Sequence, residues 1–163
     1  MKISPTLKGL ITAALMIGVI LGIYYSGKDA DPKLQYLVYA LYALGIAWTL
    51  LVFRQSASFT GKFGTSFGQG FKCFIVVTLL MALFYGIFNY MHPEFVEESS
   101  KNFREQMEQL VVKKEKLPTE VETEVATFKK QYILKLVSGA IFGYLIIGAG
   151  VTAVVSALLT RRK

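Results

Sequence analysis

Four long stretches that lack Asp, Glu, Lys and Arg dominate this chain of 163 residues. They cover residues 9–27, 34–53, 73–93 and 136–160. Each is long enough to cross about 30 Å of hydrocarbon as an α-helix. A soluble protein would have to bury four helices that are apolar on every side, and the rest of the chain is too short to cover them. The sequence therefore predicts an all-α, polytopic membrane protein with four transmembrane helices.

The largest hydrophilic segment lies between the third and fourth stretches. Its apolar residues recur at helical spacing, Pro118 interrupts the pattern, and Thr119 and Glu122 have the spacing of a capping box that begins a second helix. We therefore expect a single membrane domain over residues 1–163. Its spans lie at about 7–27, 34–53, 72–92 and 133–160, and an extramembrane helical hairpin lies at about 93–132.

Each helix of the predicted hairpin carries an apolar face. The first face consists of Phe103, Met107 and Leu110, and the second consists of Val121, Val125 and Phe128. The two faces can bury one another, as amphipathic helices commonly do, or they can form a partner face for another protein. The sequence leaves both alternatives open.

Charge is divided unequally between the two sides of the predicted membrane. The side with both termini has eight Lys and Arg residues and no acid, whereas the other side has ten basic and all eleven acidic residues. The positive-inside rule counts Lys and Arg, and their greater density in the shorter, acid-free segments favours cytoplasmic termini. Because the net charge of +7 lies next to the spans, we expect contact with anionic lipid headgroups on the cytoplasmic side and none with nucleic acid.

Small residues recur along two of the predicted spans. Ala14, Gly18 and Gly22 lie in the first span, and Gly139, Gly143 and Gly150 lie in the fourth. Membrane helices associate through close backbone contact, which small side chains allow. These positions therefore predict tight helix packing, with an intramolecular bundle favoured over a homo-oligomer.

The basic loop between the second and third spans contains a regular aromatic pattern. Phe59, Phe63, Phe67 and Phe71 are spaced four residues apart among several glycines. On a helix these rings would form one apolar stripe, as in a segment that lies in the membrane interface. The alternative is a glycine-rich phosphate cradle, which is disfavoured because the order of the glycines fits neither common phosphate-binding motif.

Residues that could support catalysis or bind a metal are few. Cys73 is the only cysteine and His92 the only histidine. We expect a buried or interfacial role for Cys73, with lipid attachment as the alternative, and an interfacial role for His92. Asp, Glu, Lys and Arg are also missing from the four apolar stretches, which disfavours ion-coupled transport. The sequence thus predicts no enzyme, and no catalytic, metal-binding or cofactor-binding residue.

Several short motifs stand at the ends of the spans or inside them. They read SFGQGFK at 66–72, YGIFNY at 85–90, PEF at 93–95, REQME at 104–108 and GYLIIG at 143–148. Together they resemble a domain-of-unknown-function family of small membrane proteins from Gram-negative bacteria, over nearly the whole chain. The resemblance implies a four-helix inner-membrane protein with both termini cytoplasmic and a periplasmic hairpin. It implies no activity and no catalytic residue.

Two classes of function remain. The first is a noncatalytic scaffold or accessory subunit of a larger membrane assembly, with a membrane-protein partner or a second copy of the chain. The alternative is an oligomeric pore or small-solute exporter. We favour the first because the predicted spans supply little polar lining for a solute path.

Overall fold

The computed structural model describes residues 3–27, 32–112 and 117–161. Within these ranges the chain forms five helices and contains no strand. The helices are α1 (Pro5–Tyr25), α2 (Pro32–Arg54), α3 (Phe63–Met91), α4 (Glu94–Val112) and α5 (Pro118–Thr160). The prediction of an all-α protein is confirmed.

Four of these helices, α1, α2, α3 and α5, are long and apolar enough to cross a membrane. Large apolar side chains remain exposed along them, among them Leu15, Leu44, Leu79, Ile146 and Leu158. Such exposure is unfavourable in water but suits a helix surrounded by lipid. The structure therefore supports a multi-pass membrane protein with four spans.

Two helix ends are fixed by local capping. Ser4 precedes α1, and its Oγ accepts a hydrogen bond from the Leu7 N–H at 3.2 Å. Before α5, the Leu117 N–H donates to Glu120 Oε2 at 2.9 Å. The capping box predicted at Thr119 and Glu122 is therefore displaced, because Pro118 takes the first helical position, where its missing N–H is not needed.

The first compact unit comprises Met1–Ala82 and Ala140–Lys163. Its core is made of large apolar side chains with no exposed surface, including Met16, Tyr42, Ile46, Leu50, Val77 and Met81. Its helices approach closely at four glycines. Gly9 faces the Cys73 carbonyl, Gly45 faces Thr12, Gly70 faces Thr152, and Gly148 faces Tyr42 and Phe74.

The second compact unit comprises Leu83–Gly139. In it, α4 and the first part of α5 run antiparallel and contact one another through Phe103 and Phe128, whose rings stack with centroids 4.5 Å apart. Glu97 Oε2 and Lys129 Nζ are 2.6 Å apart at the edge of this contact. The placement of these helices as a hairpin outside the membrane remains a prediction.

Candidate functional site

A cavity of about 420 Å³ lies in the first unit, where α1 begins and α2 ends. Its polar lining comes from Ser4, Lys8, Thr49, Gln55, Ser56, Ser58 and Gln69, and its apolar lining comes from Ile3, Pro5, Val52 and Phe53. The lining thus combines residues before and within α1, the last turns of α2, the following turn and α3. Lys8 is its only charged residue among those that the structure describes.

Lys8 is buried, with 3% of its surface exposed. Its Nζ lies 5.4 Å from the centroid of the Trp48 ring, at the distance of a cation–π contact. Among the described residues, no carboxylate pairs with this ammonium and no hydrogen-bond acceptor meets it. Buried charges in proteins are normally paired, because an ion removed from water without a partner costs several kcal/mol. The Lys8 Nζ is not among the fully buried polar atoms without a partner, so it reaches the cavity and meets no charged partner there among the described residues.

Beside the cavity, a hydroxyl of α2 is hydrogen-bonded to a thiol of α3. Thr49 Oγ1 donates to Cys73 Sγ at 3.3 Å and lies 2.9 Å from its own helix carbonyl at Gly45. Both Thr49 and Cys73 are fully buried. A carbon added at Gly9 would stand only 2.6 Å from the Cys73 carbonyl oxygen, so α1 also packs directly against this point of α3.

Further polar side chains lie along the same helices inside the first unit. Thr12 donates to the Lys8 carbonyl at 2.8 Å, and Thr78 donates to the Phe74 carbonyl at 2.9 Å. The buried hydroxyls of Ser66, Thr152 and Ser156, by contrast, have no hydrogen-bond partner among the described residues. Because α3 and α5 run antiparallel, with Gly70 facing Thr152 and Phe74 facing Gly148, Ser66 and Ser156 occupy the next turn of the same contact.

From the sequence, Lys8 was counted only among the basic residues of the terminal side, and the spans were expected to supply little polar lining. Whether Lys8 and the polar side chains of the spans come together depends on which helix faces meet. The periodicity within one helix does not show this. One local signal did point to Lys8. Ser4 and Pro5 form a helix start, so Lys8 stands inside the first turns of α1 rather than in front of the span.

The glycines that were predicted to pack helices together do not lie at the close contacts between the described helices. A carbon added at Gly18, Gly22, Gly139, Gly143 or Gly150 would meet no described atom within 4 Å. Ala14 is likewise exposed. The close contacts within the described chain lie at Gly9, Gly45, Gly70 and Gly148 instead. Helix packing through the predicted residues stays a prediction.

Three of the four predicted interfacial rings share a helix. Phe63, Phe67 and Phe71 lie in the first turns of α3, which begins well before the predicted span, and Phe63 and Phe71 are exposed. Phe59 precedes the helix and packs on Phe53, with ring centroids 5.8 Å apart. Gly61, in a left-handed conformation with φ of 69°, separates Phe59 from the others. The predicted stripe therefore starts at Phe63.

The residues of the predicted partner face contribute to contacts within the second unit. Val121 and Val125 are buried, and the rings of Phe103 and Phe128 stack on one another. Phe103, Met107, Leu110 and Phe128 are half-buried. These contacts agree with mutual burial, and the partner face stays a prediction.

His92 and Glu94 form a pair where α3 ends and α4 begins. The Nδ1 of His92 lies 2.7 Å from Glu94 Oε1, and the imidazole ring lies 4.6 Å from the Phe88 ring and 5.9 Å from the Phe95 ring. No group of three or more His, Cys, Asp or Glu side chains in the described ranges is placed to hold a metal ion.

Comparison with known proteins gives one match, which is to a family. Residues 7–162 match the family described as "Protein of unknown function (DUF4199)". No curated protein and no solved structure matches the chain. The matched range includes all of α2, α3, α4 and α5 and nearly all of α1, and it confirms the resemblance to a family of unknown function. The chain belongs to the DUF4199 family.

Proposed function

We propose that this protein is a noncatalytic, multi-pass protein of the bacterial inner membrane that serves as a scaffold or accessory subunit of a larger membrane assembly. One observation carries the proposal. Two spans keep small-residue faces that the rest of the described chain leaves open.

Nine of the fourteen glycines of this chain fall into two groups. Gly9, Gly45, Gly70 and Gly148 are buried and already touch a neighbouring helix. Gly18 and Gly22 on α1, and Gly139, Gly143 and Gly150 on α5, face open space with respect to the described residues. In a bilayer, association between helices depends on close backbone approach, so an open small-residue face suits a second membrane helix better than it suits lipid.

The charge distribution supports cytoplasmic termini. Arg54, Lys62 and Arg161 are exposed at or beside helix ends, and exposed Lys72 lies in the third turn of α3, all on the side that we assign to the termini. Nine of the eleven acidic residues fall between Glu94 and Glu124, in and near α4 and the start of α5. By the positive-inside rule, we place the first set in the cytoplasm and α4 in the periplasm.

The orientation is testable with single cysteines in a Cys73→Ser background. Glu105→Cys on α4 and Lys62→Cys before α3 are both exposed positions. A membrane-impermeant maleimide should label Glu105→Cys in cells whose inner membrane is intact, and Lys62→Cys only after permeabilisation. The reverse pattern would overturn the assigned orientation.

The scaffold role is tested by purification in mild detergent at native expression level. We expect one or more membrane proteins to co-purify reproducibly, and we expect Gly18→Leu combined with Gly22→Leu, or Gly139→Leu with Gly143→Leu, to lose them. Gly68→Leu is the matched control, since Gly68 is also an open helical glycine but lies on α3. Buried Cys73 should resist maleimide in every variant that keeps its fold.

Two results would count against this function. Repeated isolation of a lone 18.2 kDa chain would remove the assembly that the proposal requires. Solute flux into liposomes that contain only the purified protein would favour the pore alternative instead.

A further inference from the structure

We propose that the cavity beside Lys8 binds a phosphate group, carried either by a phospholipid headgroup or by free phosphate. The proposal rests on the buried lysine and on the donors around it. It is independent of the scaffold role, because it concerns a ligand and the interior of one chain.

Lys8 is the strongest indication that the cavity binds an anion. Its side chain lines the cavity, 97% of its surface is removed from solvent, and no anion pairs with it among the described residues. The Trp48 ring contributes a cation–π contact, but such a contact offsets only part of the loss of hydration. An anion in the cavity would supply the missing partner.

The other polar side chains of the lining suit an oxyanion. Gln55, Ser58 and Gln69 make no side-chain hydrogen bond to any described residue, so their amide and hydroxyl donors are available. Phosphate offers several acceptor oxygens and carries more charge than a carboxylate, so it can use Lys8 and these donors together. No acidic residue stands in the described lining to repel it.

The start of α1 strengthens the preference for an anion. Ser4 and Pro5 line the cavity, and α1 begins at Pro5, so the positive end of a helix of 21 residues borders it. The helix dipole favours an anion at this end, although Pro5 has no N–H and the Leu7 N–H already donates to Ser4 Oγ. The volume of about 420 Å³ falls in the range of small-ligand pockets, which is roughly 300–1,000 Å³.

The experiment uses the full chain, purified and placed in nanodiscs. In one arm, native mass spectrometry measures retention of phosphatidylglycerol against digalactosyldiacylglycerol, a bilayer lipid without phosphate, in mixed-lipid discs. In the other arm, inorganic phosphate is titrated into protein in digalactosyldiacylglycerol discs, and the fluorescence of Trp48 reports binding. Trp48 is the only tryptophan of the chain, and its ring lies 5.4 Å from Lys8 Nζ, so its fluorescence reports changes around Lys8.

Three variants define the site. Lys8→Met keeps the length of the side chain and removes the charge, and it should weaken binding by at least about tenfold, as expected for the loss of a charge-assisted bond. Gln69→Glu changes one amide to a carboxylate of the same shape, and it should weaken binding by repulsion even where Lys8→Met does not fold. Lys72→Met, at an exposed basic residue outside the lining, is the control and should bind like the wild type.

The outcomes separate the two sources and can refute both. Selective retention of phosphatidylglycerol with no effect of free phosphate identifies a lipid headgroup site, and saturable binding of free phosphate identifies a soluble-ligand site. Equal retention of both lipids together with no phosphate response overturns the proposal. Binding that is the same in Lys8→Met, Gln69→Glu and wild type also overturns it. Loss of co-purifying proteins would not affect either measurement, so the scaffold role can fail separately.

Discussion

The hydroxyl of Tyr42 donates a hydrogen bond to the backbone carbonyl oxygen of Tyr144 at 2.9 Å, across 102 residues of sequence. The two rings meet edge to face with centroids 5.4 Å apart, and Tyr42 has no exposed surface. A buried phenol needs such a partner, because its hydroxyl has lost water. The bond therefore fixes the position of α2 against α5 in the interior of the first unit.

We expect Tyr42→Phe to lower stability modestly. The substitution removes the bond to Tyr144 but leaves that carbonyl with its own helical hydrogen bond, so the loss should be about 0.5–1.5 kcal/mol. Thermal unfolding in detergent measures it. Tyr39→Phe is the control, since Tyr39 is exposed and its hydroxyl makes no hydrogen bond to a described residue. Equal effects of the two substitutions would contradict a role for the Tyr42 bond.

Gly148→Ala should be destabilising although alanine is the better helix former. A carbon at this position would collide with the Tyr42 hydroxyl and would come within 2.8 Å of the Phe74 ring. We expect a loss of about 1–3 kcal/mol, the usual cost of overpacking a tight contact.

Gly150→Ala provides the comparison on the same helix. Gly150 is exposed, and an added carbon meets no described atom within 4 Å, so the change should be neutral or should stabilise by up to about 1 kcal/mol. The measurement is the difference in unfolding temperature between the two variants. If Gly148→Ala is as stable as Gly150→Ala, α2 and α5 are not packed as described.

Thr152→Val should leave stability unchanged or raise it. The Thr152 hydroxyl is buried without a described hydrogen-bond partner, while its methyl group packs against Gly70. Valine keeps the shape and removes the unpaired polar group, whose burial costs about 1–3 kcal/mol.

Thr49→Val should instead destabilise, because Thr49 donates to Cys73 Sγ. A similar loss in both variants would show that Thr152 has a bond to a group such as an ordered water.

The span positions could be predicted because the signal is local. A run of apolar residues must lie in lipid or in a core wherever its neighbours are, so length and composition were sufficient to find the four spans.

The bounds of the helices were harder to predict. The glycines of 63–71 disfavour a helix individually, yet α3 begins at Phe63, since tertiary packing at Gly70 and Ser66 outweighs their weak intrinsic preference.

The amino-acid sequence did not allow the contacts between helices to be predicted. Gly18 and Gly22 form a regular motif but face open space, whereas Gly9 and Gly45 belong to no motif and lie at contacts. The difference depends on the rotation of each helix about its axis, which the sequence pattern leaves undetermined when all faces are apolar. Lys8 was assigned to the flanking charge for the same reason, because its burial comes from α2 and α3 rather than from its own helix.

The contact between α4 and α5 should depend on its apolar residues far more than on its ion pairs. Val125 is 4% exposed, so Val125→Ala should cost about 1–3 kcal/mol through lost burial and an unfilled cavity. The pair between Glu97 and Lys129 is close, at 2.6 Å, but both side chains are largely exposed, and Glu97→Gln should cost less than about 1 kcal/mol.

Hydrogen exchange of the α4 amides distinguishes the two variants in the intact protein. Val125→Ala should accelerate exchange along α4 by about tenfold or more, because loss of α4 from α5 exposes its backbone, whereas Glu97→Gln should change it by less than about fivefold. High salt should leave the Val125→Ala effect in place, since screening weakens exposed charge pairs and leaves apolar burial intact. A larger effect of Glu97→Gln than of Val125→Ala would mean that charge, rather than the buried valines and stacked phenylalanines, holds α4 in place.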